Sequence, residues 1–372
     1  MFSSQPTHIS TQQLIEKLQQ NHLINSDMVP QVEQLPITST KIPIYLQGLV
    51  GLGGIFFSLF FIGFLFAIGL IEQEKSLLFW GLIFIGAAIF IHQSVQTQDE
   101  NNLIFNFLLQ TSFSFMAAGK IAFVIGCLIL FEKSVVDIQW LVTGAILFVT
   151  ILIYPIYPVA FDRTLSSLSS LMAISVSILI SYDNDVAWQN IWLEAFFLLQ
   201  IIMVAILCTH KKVTKTLEPL NYAAIIAIYT QVILWTVIPK EARLLQYFTI
   251  DFNIIKMILT FALILLIVWV AGNANKLRQE PFIIALLGAI ALGIVSSAGI
   301  ILSILLLILG YAKFDRLITL SGIMLLPVFL FFYYYDLELT LMNKSAILIA
   351  SGIILLMGYF YLKSRQWHKI GE

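Results

Sequence analysis

Residues 281–311 read PFIIALLGAIALGIVSSAGIILSILLLILGY, and this stretch decides the fold. About thirty apolar residues without a charge are too many for one ordinary membrane span of about 20 residues and few for two. Small residues cluster near the middle, at Ser296-Ser297-Ala298-Gly299. The stretch therefore predicts two short helices, roughly 281–296 and 299–312, joined by a tight turn; the alternative is one long tilted helix. Ala285, Ala289, Gly293 and Ser297 recur every fourth residue, which stacks them on one helix face where a neighbouring backbone can come close. That face is expected against protein, not lipid.

Downstream, the loop Ala312-Lys313-Phe314-Asp315-Arg316 leads to a span over about 317–335, with Pro327 expected to kink it by removing an internal hydrogen bond. The span ends in Tyr333-Tyr334-Tyr335, a residue type that collects at the membrane–water boundary because its ring is apolar and its hydroxyl seeks a polar partner. The following loop, Asp336 to Ser345, carries Asp336, Glu338 and Lys344. A last span, about 346–362, is followed by the basic tail from Lys363.

Leu-Leu-Leu-Ile-Leu-Gly-Tyr at 305–311, the short basic loop, an apolar span, then Tyr-Tyr-Tyr-Asp-Leu-Glu-Leu-Thr-Leu-Met-Asn-Lys-Ser at 333–345 and Ser351-Gly352 form a pattern. It resembles the C-terminal part of a bacterial multi-pass family catalogued as domain of unknown function 4401, and the likeness extends more loosely back to Gly48. The resemblance implies a polytopic membrane protein and carries no activity or catalytic residue. Members of that family are encoded beside another multi-pass protein of unknown function and a protein with a GDYxxLxxY motif, which implies a partner complex.

Composition places the whole chain in the same class. Hydrophobic residues make up 59% and charged residues 11%, against about 25% charged in soluble domains. Mean hydropathy is +0.94. About twelve spans (range ten to twelve) would use most of the 372 residues and leave no room for a soluble catalytic domain. A net charge of -1 with no dense basic patch excludes a nucleic-acid surface. Cys127 and Cys208 both sit in apolar spans and form no disulfide framework.

Three segments follow: a cytoplasmic N-terminal segment 1–43, a transmembrane helical domain 44–362 and a cytoplasmic tail 363–372. The first segment lacks a signal-peptide core, so the first span acts as an uncleaved anchor; Ser10 with Gln13 resembles a capping box ahead of a short amphipathic helix, about 11–23. Spans are then expected at about 48–71, 77–91, 103–131, 135–154, 163–181, 188–208, 220–238 and 253–271. Tyr154-Pro155-Ile156-Tyr157-Pro158 forces a corner, after which Asp162 is expected as the N-cap.

Few polar groups fall inside these spans. Lys120 lies near the middle of the third, where a charge costs on the order of 2.5 to 3.5 kcal/mol, so it should face a cavity or partner, or the helix should break at Ala117-Ala118-Gly119. Ser166, Ser170, Ser177 and Ser181 share a face of the fifth span and either pack between helices or line a polar pathway. Glu194, near the interface marked by Trp188 and Trp192, is a candidate counter-charge for Lys120, and Gln200 lies on the same span; Gln231 is expected to bond between helices, and Lys256 to snorkel. No histidine pair has metal-ligand spacing, and no cofactor motif is present.

Lysines and arginines at 211, 212 and 215, at 276 and 278, at 313 and 316, and at 363, 365 and 369 fall on one side, which should be cytoplasmic, with both termini inside a bacterial inner membrane. The expected function is a non-enzymatic subunit or scaffold of a membrane complex, surrounded by membrane lipid and binding a partner membrane or periplasmic protein. Tyr335, Asp336, Glu338 and Lys344 would form its external contact loop. The alternative is a secondary transporter or channel for a small solute, using Lys120, Glu194, Ser166, Ser170 and Ser177 as its polar site. An enzyme acting on lipid would have only Asp336, Glu338 and Lys344 to work with.

Overall fold

The computed structural model describes residues 44–69, 76–95, 103–131, 137–181, 186–209, 214–237, 252–272 and 279–336, with Met342, Ser345, Ile349 and Phe360 singly. Every regular element among them is helical. The eleven helices are α1 (Ile44–Ala67), α2 (Ser76–Val95), α3 (Leu103–Leu130), α4 (Ile138–Ile156), α5 (Ala160–Ile180), α6 (Val186–Thr209), α7 (Thr214–Val237), α8 (Phe252–Ala271), α9 (Glu280–Val295), α10 (Ala298–Lys313) and α11 (Arg316–Asp336). Eight are long and apolar enough to cross a membrane; α9, α10 and the apolar stretch of α1 are shorter. The expected count of about twelve spans is therefore not reached among the described residues. The N-terminal helix at 11–23, the last span at 346–362 and the tail lie outside them.

Residue placement fits a lipid surround. Phe60, Phe90, Ile151, Met257 and Ile294 are each at least 70% exposed, whereas Ser112, Gln200 and Ser303 are fully buried. Water would penalise such an outward apolar girdle; lipid does not. Because lipid tails are as apolar as leucine, the helices are held by close packing and interhelical hydrogen bonds.

The chain separates into two compact units, 1–132 and 133–372. In the first, α2 and α3 pack backbone to backbone. A Cβ on Gly81 would lie 2.7 Å from the Phe123 nitrogen, one on Gly119 2.9 Å from the Gly81 oxygen, and one on Gly126 2.5 Å from the Leu78 nitrogen. These glycines let α2 and α3 approach closely, and α3 runs unbroken from Leu103 to Leu130. Ala117-Ala118-Gly119 does not break the helix, because its small residues serve close packing on α2. Lys120 follows on this continuous helix, partly buried.

The second unit is built around α6, α7, α8 and α10, with Phe197, Ile228, Leu259, Leu263, Ile301 and Phe329 in one core. The expected break in 281–312 is present: α9 and α10 have 16 residues each and are separated by extended Ser296 and Ser297. At about 1.5 Å per residue each is about 24 Å long, short of a full hydrocarbon core of about 30 Å. The carbonyls at the end of α9 are satisfied from neighbouring helices. Lys256 Nζ of α8 donates to the Ile294 oxygen at 3.4 Å, and Tyr333 Oη of α11 donates to the Val295 oxygen at 2.9 Å. Lys256 thus caps a helix end.

Two local expectations need correction. Ala289 and Gly293 do pack inward, the latter against Thr260, but Ala285 is exposed, so the small-residue face is buried only over its second half. Asp162 is not the N-cap of α5: Val159 is, directly after Pro158, and Asp162 sits buried in the first turn. There its carboxylate lies near the positive end of the helix dipole. Pro155 falls in the last turn of α4, and Pro327 lies inside α11.

Candidate functional site

Serines along α5 form a seam with α4. Ser177 and Thr143 hydroxyls are 2.6 Å apart, Thr143 Oγ1 also donates to the Ala173 oxygen at 3.1 Å, and Ser177 Oγ donates to the Gln139 oxygen at 2.9 Å. Two turns away, Ser170 Oγ donates to Thr150 Oγ1 at 3.0 Å and to the Ser166 oxygen at 2.9 Å. At the far end, Trp140 Nε1 donates to Ser181 Oγ, and Ser181 Oγ to the Ser177 oxygen. On another face of α5, Ser175 Oγ accepts from Gln231 Nε2 of α7 at 2.8 Å. Threonines 143 and 150 of α4, which sequence reading passed over, are the partners. Their spacing of seven residues, two helical turns, matches that of Ser170 and Ser177 and is the signal that could have paired them.

The other expected intramembrane groups belong to other helices. Lys120 belongs to α3 in the first unit; Glu194, partly buried, belongs to α6 in the second. Gln200 of α6 is fully buried, and neither atom of its amide has a hydrogen-bond partner among the described residues. Of the external loop, Tyr335 is 65% exposed and Asp336 closes α11, while Glu338 and Lys344 lie outside the described residues.

A second polar cluster gathers where the C-terminal ends of α6, α8 and α10 meet the starts of α7 and α11. The α10–α11 turn puts Phe314 in the left-handed conformation (φ 55°), letting Asp315 begin the next helix. Asp315 Oδ1 accepts from the backbone nitrogens of Leu317 at 2.9 Å and Ile318 at 3.3 Å, as a helix N-cap does. Its other oxygen, Oδ2, accepts from Tyr222 Oη of α7 at 2.5 Å. Lys313 Nζ donates to the Cys208 oxygen at the end of α6 and stands 5.4 Å from the centre of the Trp269 ring of α8. Cys208 Sγ lies beside the Asn221 amide, 3.7 Å from its nitrogen. Sequence reading counted Lys313 and Asp315 as a basic loop and Cys208 as an apolar-span cysteine; their convergence depends on helix pairing.

This cluster also arranges the charges. The lysine- and arginine-bearing connections after α6, after α8 and between α10 and α11 all attach at the end where Cys208, Trp269 and Lys313 meet, whereas Ile294, Val295 and Tyr333 meet at the other. Among the described residues no three His, Cys, Asp or Glu side chains are grouped closely enough to hold a metal ion.

The chain belongs to the family described as domain of unknown function (DUF4401), whose model matches residues 43–365. The resemblance drawn from residues 305–345, and its extension towards Gly48, are thereby established over nearly the whole chain. No curated protein and no solved structure matches it.

Proposed function

We propose that this family member is a non-enzymatic subunit or scaffold of a membrane complex, seated in a bacterial inner membrane with both termini cytoplasmic and holding a partner membrane or periplasmic protein. The observation that carries this reading is the α4–α5 seam. A solute pathway requires polar groups directed at a cavity. Here the hydroxyl of Ser177 meets that of Thr143, that of Ser170 meets Thr150, and the rest of their bonds go to backbone carbonyls, which is helix pairing. Exposed Tyr335, at the mouth of the acidic loop that starts with Asp336, supports a protein contact at that end. The test is purification of the tagged full chain in mild detergent. A stoichiometric multi-pass or periplasmic partner is expected, and recovery of the chain alone counts against the reading.

A secondary transporter or channel for a small solute is the second reading, favoured by the break between α9 and α10, a feature that transporters use for binding sites. It predicts that Lys120→Ala and Ser170→Ala each alter uptake or cell susceptibility to solutes. Unchanged transport phenotypes in both variants remove its basis.

A further inference from the structure

An apolar cleft of about 510 Å³ lies between α6 and α8, floored by α7 and α10, within the range of about 300–1,000 Å³ usual for ligand pockets. Its rim carries Ile202, Phe261 and Leu265, which are 49%, 61% and 51% exposed, so the cleft opens sideways, towards the lipid. On α6 it runs from Leu198 to Thr209 and on α8 from Ile258 to Trp269. Eleven residue steps at about 1.5 Å give about 16 Å, about half of a hydrocarbon core of about 30 Å. The cleft therefore traverses one leaflet, the depth of one acyl chain.

Its two ends differ. The end at Leu198 is apolar, whereas the other carries Cys208, Thr209 and Trp269, with the Lys313 ammonium 5.4 Å from the Trp269 ring. An indole and a cation at the outer end of an apolar slot match the headgroup level of a lipid whose tail lies in the slot. By sequence, the connections that attach at this end carry more base than acid (Lys211, Lys212, Lys215 and Arg316 with Lys313, against Glu218 and Asp315), so their net charge is positive and favours an anion.

We propose that this cleft is a binding site for one anionic phospholipid, its acyl chain between α6 and α8 and its phosphate at Lys313. The site does not depend on the subunit reading. It is tested by native mass spectrometry of the full chain in mild detergent, titrated with phosphatidylglycerol or phosphatidylcholine carrying the same tails. One phosphatidylglycerol is expected to be retained about fivefold more tightly than phosphatidylcholine, from about 1 kcal/mol for one cation near the surface. Lys313→Gln should level the two headgroups. Ala205→Trp, which fills the exposed side of the cleft, should abolish retention of both, while Ala285→Trp, on exposed surface of α9, should change neither. Equal retention of the two lipids by the unaltered chain, or wild-type retention by Ala205→Trp, overturns the proposal. If Lys313→Gln fails to fold, a photocrosslinking residue at 205 in intact membranes decides: capture of phospholipid supports the site, and capture of a peptide of this chain instead overturns it.

Discussion

Gly299 offers the most demanding test of the packing. A Cβ added there would lie 2.1 Å from Cδ1, 2.4 Å from Cγ and 2.5 Å from Cε1 of Phe329, so it would sit inside the ring. Phe329 is 1% exposed, and its ring cannot yield without displacing the α10–α11 interface. Gly299→Ala should therefore cost about 1–3 kcal/mol as overpacking, rising towards about 3–5 kcal/mol if the ring is expelled and its site left unfilled. Gly288 is the internal control. It is exposed on α9 with nothing within 4 Å of an added Cβ, so Gly288→Ala should stabilise by about 0.5–1 kcal/mol. The assay is reversible unfolding in detergent micelles by denaturant titration, read by tryptophan fluorescence and checked by size-exclusion profile. Repeating Gly299→Ala in a Phe329→Ala background closes a double-mutant cycle, in which the alanine should cost almost nothing because the ring it strikes is gone. An equal cost with and without Phe329, or no cost at all in the native background, would show that the ring is not what requires glycine at 299.

Three further outcomes follow from named contacts. Thr143→Val removes the hydroxyl that meets Ser177 and the Ala173 carbonyl, and should destabilise by about 0.6 kcal/mol and no more than about 1.7 kcal/mol in the same unfolding assay, sub-additively with Ser177→Ala. Gln200→Leu replaces a fully buried amide that lacks partners among the described residues, and should leave stability unchanged or raise it by about 1–3 kcal/mol; a loss of that size would mean that the amide is bonded in the folded protein. In a chain with Cys127 and Cys208 replaced by serine, a membrane-impermeant maleimide should label Thr340→Cys from outside intact cells and leave Thr214→Cys unlabelled, and the reverse pattern would invert the proposed orientation.

What was legible in the sequence is what depends on neighbours along the chain. Ser296-Ser297-Ala298-Gly299 interrupts a long apolar run, and the break between α9 and α10 falls there because short polar and small residues are the weak point of such a run. Pro155 and Pro158 likewise predict the corner between α4 and α5, although Asp162 lies a turn deeper than a cap because helix formation resumes as soon as Pro158 is passed. Contacts between distant segments were not legible. Gly299 needs to be glycine because of Phe329, thirty residues on, and Ala117-Ala118-Gly119 reads as a weak point although Gly81 and Ile85 of α2 make it a packing surface. The serine face of α5 was visible in its spacing, but whether it lined a pathway or a seam depended on Thr143 and Thr150 of α4. The Tyr222, Asp315, Lys313 and Cys208 cluster was hidden for the same reason: each residue looks ordinary in its own segment, and only the meeting of five helix ends unites them.

The proposed holding of a partner is the role to be tested. Its most direct measurement is crosslinking of the tagged chain in intact membranes, with the captured proteins quantified by mass spectrometry. One multi-pass or periplasmic protein is expected near one-to-one, with crosslinks concentrated at Tyr335 and the loop 336–345. Recovery of the chain alone, from membranes in which it is folded and abundant, would contradict it.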